Sequence, residues 1–144
     1  MIYCDTAYLA RLYLLEHGST EVRSVVQSSS GAACCALGQA ELASAFHRKW
    51  REGRISKEDF SLLLKQLDSD CACGLHTWFP VTAELLAVVR KDYRSLPTDV
   101  FLRASDALHL ACARDNAFKE IYSNDEQMLA AAPYFGLKGK NVIP

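Results

Sequence analysis

Short apolar runs alternate with stretches of helical periodicity along the whole chain. Met1–Cys4 is a continuous apolar run and predicts a short buried strand. Leu9, Leu12 and Tyr13 then recur at helical spacing up to Gly18, and Ser19 is expected to cap a helix carrying Val22, Val25 and Val26. Ala33–Leu37 is a second expected strand, and Gln39–Glu52 a helix stopped by Gly53. Ser56-Lys57-Glu58-Asp59 is a capping-box pattern. It opens a helix with Phe60, Leu63, Leu64 and Leu67 at i, i+3, i+4 and i+7, the clearest amphipathic signal present. His76–Val81 predicts a third strand with Pro80 near its end or at a sheet edge. Thr82 is expected to cap a helix with Leu85, Val88 and Val89 on one face, broken at Leu96-Pro97-Thr98-Asp99. A helix over about Leu102–Ala117 and a strand over Glu120–Ser123 follow. Ser123-Asn124-Asp125-Glu126 is a second capping-box pattern, opening a helix with Met128, Leu129 and Ala132 that ends at Pro133–Gly136. Gly136–Lys140 reads as a basic loop and Asn141–Pro144 as a last strand.

Strands alternating with helices imply an α/β fold, a central, mainly parallel sheet with helices on both faces. With 144 residues and no repeat, low-complexity tract or linker, the expectation is a single domain over 1–144. No apolar run approaches the ~18–20 residues of a membrane span. The start lacks the basic and apolar regions of a secretory signal, so a cytoplasmic protein with no membrane association is expected. Half the residues are hydrophobic, which excludes a disordered chain. A net charge of -1 excludes coating of nucleic acid by bulk electrostatics, though not a local site. The six cysteines include a vicinal pair, Cys34-Cys35, and Cys71-x-Cys73, spacings that suit neither zinc nor a disulfide framework. Reduced thiols packed as small hydrophobes are the expectation.

In parallel α/β sheets ligands collect at the carboxyl ends of the strands. Asp5 follows the first strand directly, and Asp125 follows the Ile121-Tyr122 strand at the mouth of a helix. Glu41 falls in the first turns of the helix after the second strand, and Asp106 early in its own helix. Singly, each reads as a cap, a dipole partner or a solvated residue. The contexts Ala40-Glu41-Leu42-Ala43 and Ser105-Asp106-Ala107-Leu108 are small or apolar, which lets helices approach and brings these acids onto one rim. Crowded carboxylates repel unless a cation sits among them, and oxygen-only ligands suit Mg²⁺ or Mn²⁺. The chemistry implied is phosphodiester hydrolysis.

Four blocks, Ile2-Tyr3-Cys4-Asp5-Thr6, Ala40-Glu41-Leu42, Arg103-Ala104-Ser105-Asp106-Ala107-Leu108-His109-Leu110-Ala111 and Tyr122-Ser123-Asn124-Asp125, resemble the PIN domain, specifically the toxin ribonucleases of VapBC toxin–antitoxin pairs. The resemblance implies a PIN-like fold and a metal-dependent endoribonuclease using Mg²⁺ or Mn²⁺. Asp5, Glu41, Asp106 and Asp125 match its acidic catalytic positions, with Asp5, Asp106 and Asp125 as metal ligands. Asp125 is preferred to Asn124 and Glu126 for its Ser123-x-Asp125 spacing. Thr6 matches the hydroxyl residue beside the first acid. The implied partners are an RNA substrate, a VapB-like antitoxin, and a second copy in a homodimer within a toxin–antitoxin hetero-oligomer. Residues 56–70 match the helical excursion that helps to build the antitoxin groove. The alternative is a non-catalytic PIN-like module that only binds a partner, which missing acids would favour. A phosphotransfer domain is disfavoured, because Asp5-Thr6-Ala7 lacks the Asp-x-Asp such phosphatases want and no receiver-type aspartate and lysine set is evident.

Basic residues must offset an acidic rim before it attracts RNA. Glu41, Ser44, Ala45 and Arg48 share a helix face, so Arg48 is a candidate phosphate contact, whereas Lys49 and Arg51 read as a solvated helix end. Arg103, one turn before Asp106, is expected to pair with an acid until substrate arrives. His109 reads as a packed structural histidine, Trp50, Trp78 and Phe79 as packing residues, and Asp99 as a turn residue.

Overall fold

A computed structural model describes residues 1–144. In chain order the elements are β1 (Ile2–Cys4), α1 (Thr6–Tyr13), α2 (Ser19–Gln27), β2 (Ala32–Cys35), α3 (Leu37–Arg51), α4 (Lys57–Cys73), β3 (Thr77–Phe79), α5 (Ala83–Ser95), α6 (Ala104–Asp115), β4 (Glu120–Tyr122), α7 (Glu126–Ala131), a 3-10 turn (Ala132–Phe135) and β5 (Lys138–Lys140). The five strands form one sheet in the order β3-β2-β1-β4-β5, and all neighbours pair in parallel. No helix is long and apolar enough to cross a membrane.

Strand alternation divides the core into two layers. Tyr3, Ala33, Cys35 and Ile121 face one layer with residues of α5, α6 and α7. Cys4, Ala32 and Cys34 face the other, with residues of α1 to α4. The adjacent Cys34 and Cys35 therefore point to opposite faces of the sheet, and all six cysteines are free thiols.

Ser56 and Asp59 form the expected capping box at the start of α4, and the Thr82 hydroxyl accepts from the Leu85 N–H at the start of α5. Other expectations are corrected. Ser19 does not cap α2; Gly18 does, in the left-handed region at φ 81°, and the Ser19 hydroxyl donates to the Leu14 carbonyl. Ser123 does not cap α7; Asp125 does, accepting from the backbone N–H of Gln127 and Met128. The last strand is Lys138–Lys140, not Asn141–Pro144. Its Lys-Gly-Lys sequence has the composition of a loop, but Gly139 has no Cβ to collide with Leu129 of α7, at 2.8 Å, so α7 lies directly on this edge. Asn141 instead ties the tail down, its Oδ1 accepting from the Tyr8 hydroxyl at 2.7 Å.

Candidate active site

The chain leaves β1 for β2 and β3 on one side and returns to β4 and β5 on the other. The switch point lies between β1 and β4, and a crevice forms outside the carboxyl ends of such strands. A groove of about 450 Å³ opens there. Asp5, Thr6, Glu41, Arg48, Arg103, Asp106 and Asp125 all line it.

Asp5 ends β1 and caps α1: its Oδ1 accepts from the Tyr8 N–H at 2.8 Å. The Ser123 hydroxyl, just past β4, donates to its other oxygen and accepts from the Asp125 N–H at 2.9 Å. Ser123 thus links the acids that follow β1 and β4. Asp5 is 4 % exposed. Burial pushes its carboxyl above the usual range, although the bonds from Ser123 and Tyr8 pull the other way.

Glu41 enters from α3. Gly38, one turn earlier, carries α3 close to the sheet: a Cβ there would stand 2.8 Å from Cys34 Sγ, 3.1 Å from the Trp78 ring and 3.3 Å from Thr6 Oγ1. The approach lets the Thr6 hydroxyl donate to Glu41 Oε2, which also lies 2.9 Å from His109 Nε2. Burial would raise the Glu41 carboxyl, but its bonds to His109 and Thr6 outweigh this and hold it below the usual range. On the far side of the imidazole, Nδ1 lies 3.3 Å from the Tyr3 hydroxyl, which accepts from the Cys35 N–H at 2.9 Å. Nε2 is aimed at Glu41 and Nδ1 at the Tyr3 hydroxyl, so a protonated ring would donate through both nitrogens. Burial opposes a charged ring, yet the contacts with Cys34 and Glu41 lift His109 well above its ordinary pKa.

Asp106 lies in the first turn of α6, buried, where the helix N-terminus favours negative charge. Arg103 Nε donates to Asp106 Oδ2 at 2.8 Å, and Arg103 Nη2 donates to Asp125 Oδ2 at 2.7 Å. One guanidinium therefore spans two acids, the pairing expected of Arg103 in the absence of substrate.

Three residues matter more to the groove than their sequence context indicates. His109 is packed in α6 as expected, but its ring also reaches Glu41. Lys49 is not a solvated helix end: it lines the groove and pairs with Glu16. Arg11 also lines the groove, with Ala7, Ala10 and Leu14. The spacing i, i+3, i+4, i+7 from Ala7 was the available signal, masked because two of those residues are alanines that also suit a core. Trp50 stacks on Phe60 at 5.1 Å between ring centroids, joining α3 to α4, and Phe79 packs edge-on against Phe118.

No three His, Cys, Asp or Glu side chains stand together as a finished metal site. The donor chemistry nevertheless fits a hard divalent cation, because Asp5, Glu41, Asp106 and Asp125 offer only oxygen. The lining is electrostatically mixed, with Arg11, Arg48, Lys49 and Arg103 beside the acids, as a site for a polyanion requires.

No curated protein matches the sequence. The fold is similar to the solved structure of FitAcB from Neisseria gonorrhoeae, at 16 % identity and a TM-score of 0.70, over 98 % of this chain and 97 % of that one. It is also similar to a structure of FitAB bound to the IR36 DNA fragment, at 14 % identity and a TM-score of 0.69, over 98 % and 94 % of the two chains. The model of the PIN domain family matches residues 2–133. With a parallel sheet whose switch point gathers acids from β1, α3, α6 and the start of α7, and with that match over nearly its whole length, the chain belongs to the PIN domain family.

Proposed function

We propose that the protein is a metal-dependent endoribonuclease, the toxin of a toxin–antitoxin pair of the VapBC kind. The observation that carries this reading is the convergence of Asp5, Glu41, Asp106 and Asp125 on one groove whose walls also carry Arg11, Arg48, Lys49 and Arg103. Asp5, Asp106 and Asp125 would hold Mg²⁺ or Mn²⁺. Bound there, the cation supplies an activated water and a counter-charge for the phosphate and the leaving oxygen. The protein's own part is positioning. Ser123 and the Tyr8 N–H aim Asp5, and Thr6 and His109 aim Glu41. Arg48 is exposed on the wall, on one helical face with Glu41, which supports a contact with a backbone phosphate. The likeness to FitAB and FitAcB supports an antitoxin partner. A homodimer within a toxin–antitoxin assembly and a cytoplasmic location belong to the same reading, with which six free thiols agree.

A non-catalytic PIN-like module is disfavoured because none of the four acidic positions is lost. Purified protein is expected to cut RNA when Mg²⁺ or Mn²⁺ is supplied, to stop in EDTA, and to be inactive as Asp106→Asn. Cleavage at an undiminished rate in EDTA overturns the metal mechanism. Metal binding with no cleavage across transfer, ribosomal and messenger RNA favours the partner-binding module.

A further inference from the structure

Arg103 covers groove-facing oxygens of two acids without being what places them. Asp125 is held independently, its Oδ1 accepting from the Gln127 N–H at 2.9 Å and the Met128 N–H at 3.0 Å, and only its Oδ2 meets Arg103. Asp106 is fixed by burial in the first turn of α6, again with Oδ2 turned to Arg103. The Arg103 side chain is 58 % exposed. Its residue begins α6 through the backbone alone, with no side-chain capping bond. Nothing apart from the two carboxylates holds the guanidinium.

We infer that Arg103 is a displaceable internal counter-cation: it neutralises Asp106 and Asp125 in the metal-free groove and would give way to a divalent cation held by the groove acids, which would free its guanidinium for a substrate phosphate. The inference rests on the metal reading given above. A guanidinium shares one positive charge between two acids, whereas a divalent cation would bring two charges to the same carboxylates. The guanidinium is the solvent-exposed member of both pairs, so each is open to water and salt and the exchange meets little resistance. It also explains how two acids that would repel each other stay together before metal arrives.

The test is calorimetric titration of Mn²⁺ into the wild type, Arg103→Ala, Arg103→Lys and Asp106→Asn, each at low and high salt. Arg103→Ala is expected to bind Mn²⁺ about fivefold to tenfold more tightly than the wild type, with Arg103→Lys between them and the gap narrowing as salt rises. Asp106→Asn is expected to lose the binding. If Arg103→Ala fails to fold, Arg103→Gln carries the same expectation. Equal or weaker Mn²⁺ affinity in Arg103→Ala, with wild-type binding intact and sensitive to Asp106→Asn, overturns the counter-cation and leaves the metal reading standing. Mn²⁺ that binds none of the four proteins overturns both.

Discussion

At Asp5 stability opposes the proposed role as a metal ligand. The residue is buried, its carboxyl is pushed upward by that burial, and its two hydrogen-bond donors do not fully compensate. The folded protein therefore holds the Asp5 proton to higher pH than the unfolded chain does. Ionisation of Asp5 lowers stability as the pH rises out of the usual carboxylate range, and that loss persists at neutral pH. Asp5→Asn keeps an acceptor for the Tyr8 N–H and removes the buried charge. In EDTA at neutral pH the variant is expected to melt a few degrees above the wild type, while metal-dependent RNA cleavage disappears. A variant that melts lower would show that Asp5 is chiefly a structural cap. Arg48 tests the wall of the groove. Arg48→Ala is expected to weaken RNA binding and to reduce the slope of log affinity against log salt by roughly one unit, with Mn²⁺ affinity unchanged. An unaltered slope would return Arg48 to the solvated surface.

Helix α3 is the element on which the Glu41 side of the groove depends. Glu41 meets Thr6 and His109 because α3 approaches the sheet more closely than a side chain at residue 38 permits. Two effects compete in Gly38→Ala. Replacing glycine in a helix is worth up to about 1 kcal/mol in propensity. Overpacking against Cys34 and Trp78 costs about 1–3 kcal/mol, and Cys34 Sγ, at 2.8 Å, is fully buried on β2 between two paired strands. The second effect is expected to win, so Gly38→Ala should lower the denaturation midpoint and shift Glu41 away from His109. An exchange of Ala40→Gly on the exposed face of the same helix should instead destabilise only by the propensity difference. Equal effects at the two positions would mean that close approach plays no part.

At the scale of the molecule, the sheet order is what makes a site from acids scattered between residues 5 and 125. Metal binding to the folded groove should stabilise the whole chain, by about 2.7 kcal/mol at a hundredfold excess over the dissociation constant. The wild type is expected to melt higher in Mn²⁺ than in EDTA. Asp106→Asn is expected to lose most of that rise, with a metal-free melting temperature equal to the wild type's or higher. The lost partner of Asp106, Arg103, is largely exposed, so the broken pair is worth little. Four melting curves decide the matter. A variant that melts lower and keeps the full metal response would remove Asp106 from the site.

Most elements of this fold are legible residue by residue because their signals are local. Apolar runs before Asp5 and Glu120-Ile121-Tyr122 mark strands, and Ser56-x-x-Asp59 marks a helix start, since a capping box needs only backbone donors three residues away. The candidate acids are legible by two different signals: Asp5 and Asp125 follow strands, and Glu41 and Asp106 sit among small and apolar neighbours where a charge is costly. What local pattern does not carry is which groups face each other across the sheet. Ser123 and Asp125 look alike as caps at the start of α7, and only the adjacency of β1 and β4 turns the Ser123 hydroxyl toward Asp5. Lys138-Gly139-Lys140 becomes a strand only because α7 lies against Gly139 and β4 offers an edge to pair with. His109 is a core residue by its helical context, and its contact with Glu41 spans 68 positions of sequence. Chain order determines elements and candidate charges through short-range sterics and hydrogen bonding. The groove itself, and the pairing of Arg103 with two acids at once, come from sheet topology, which sets distances that no local spacing encodes.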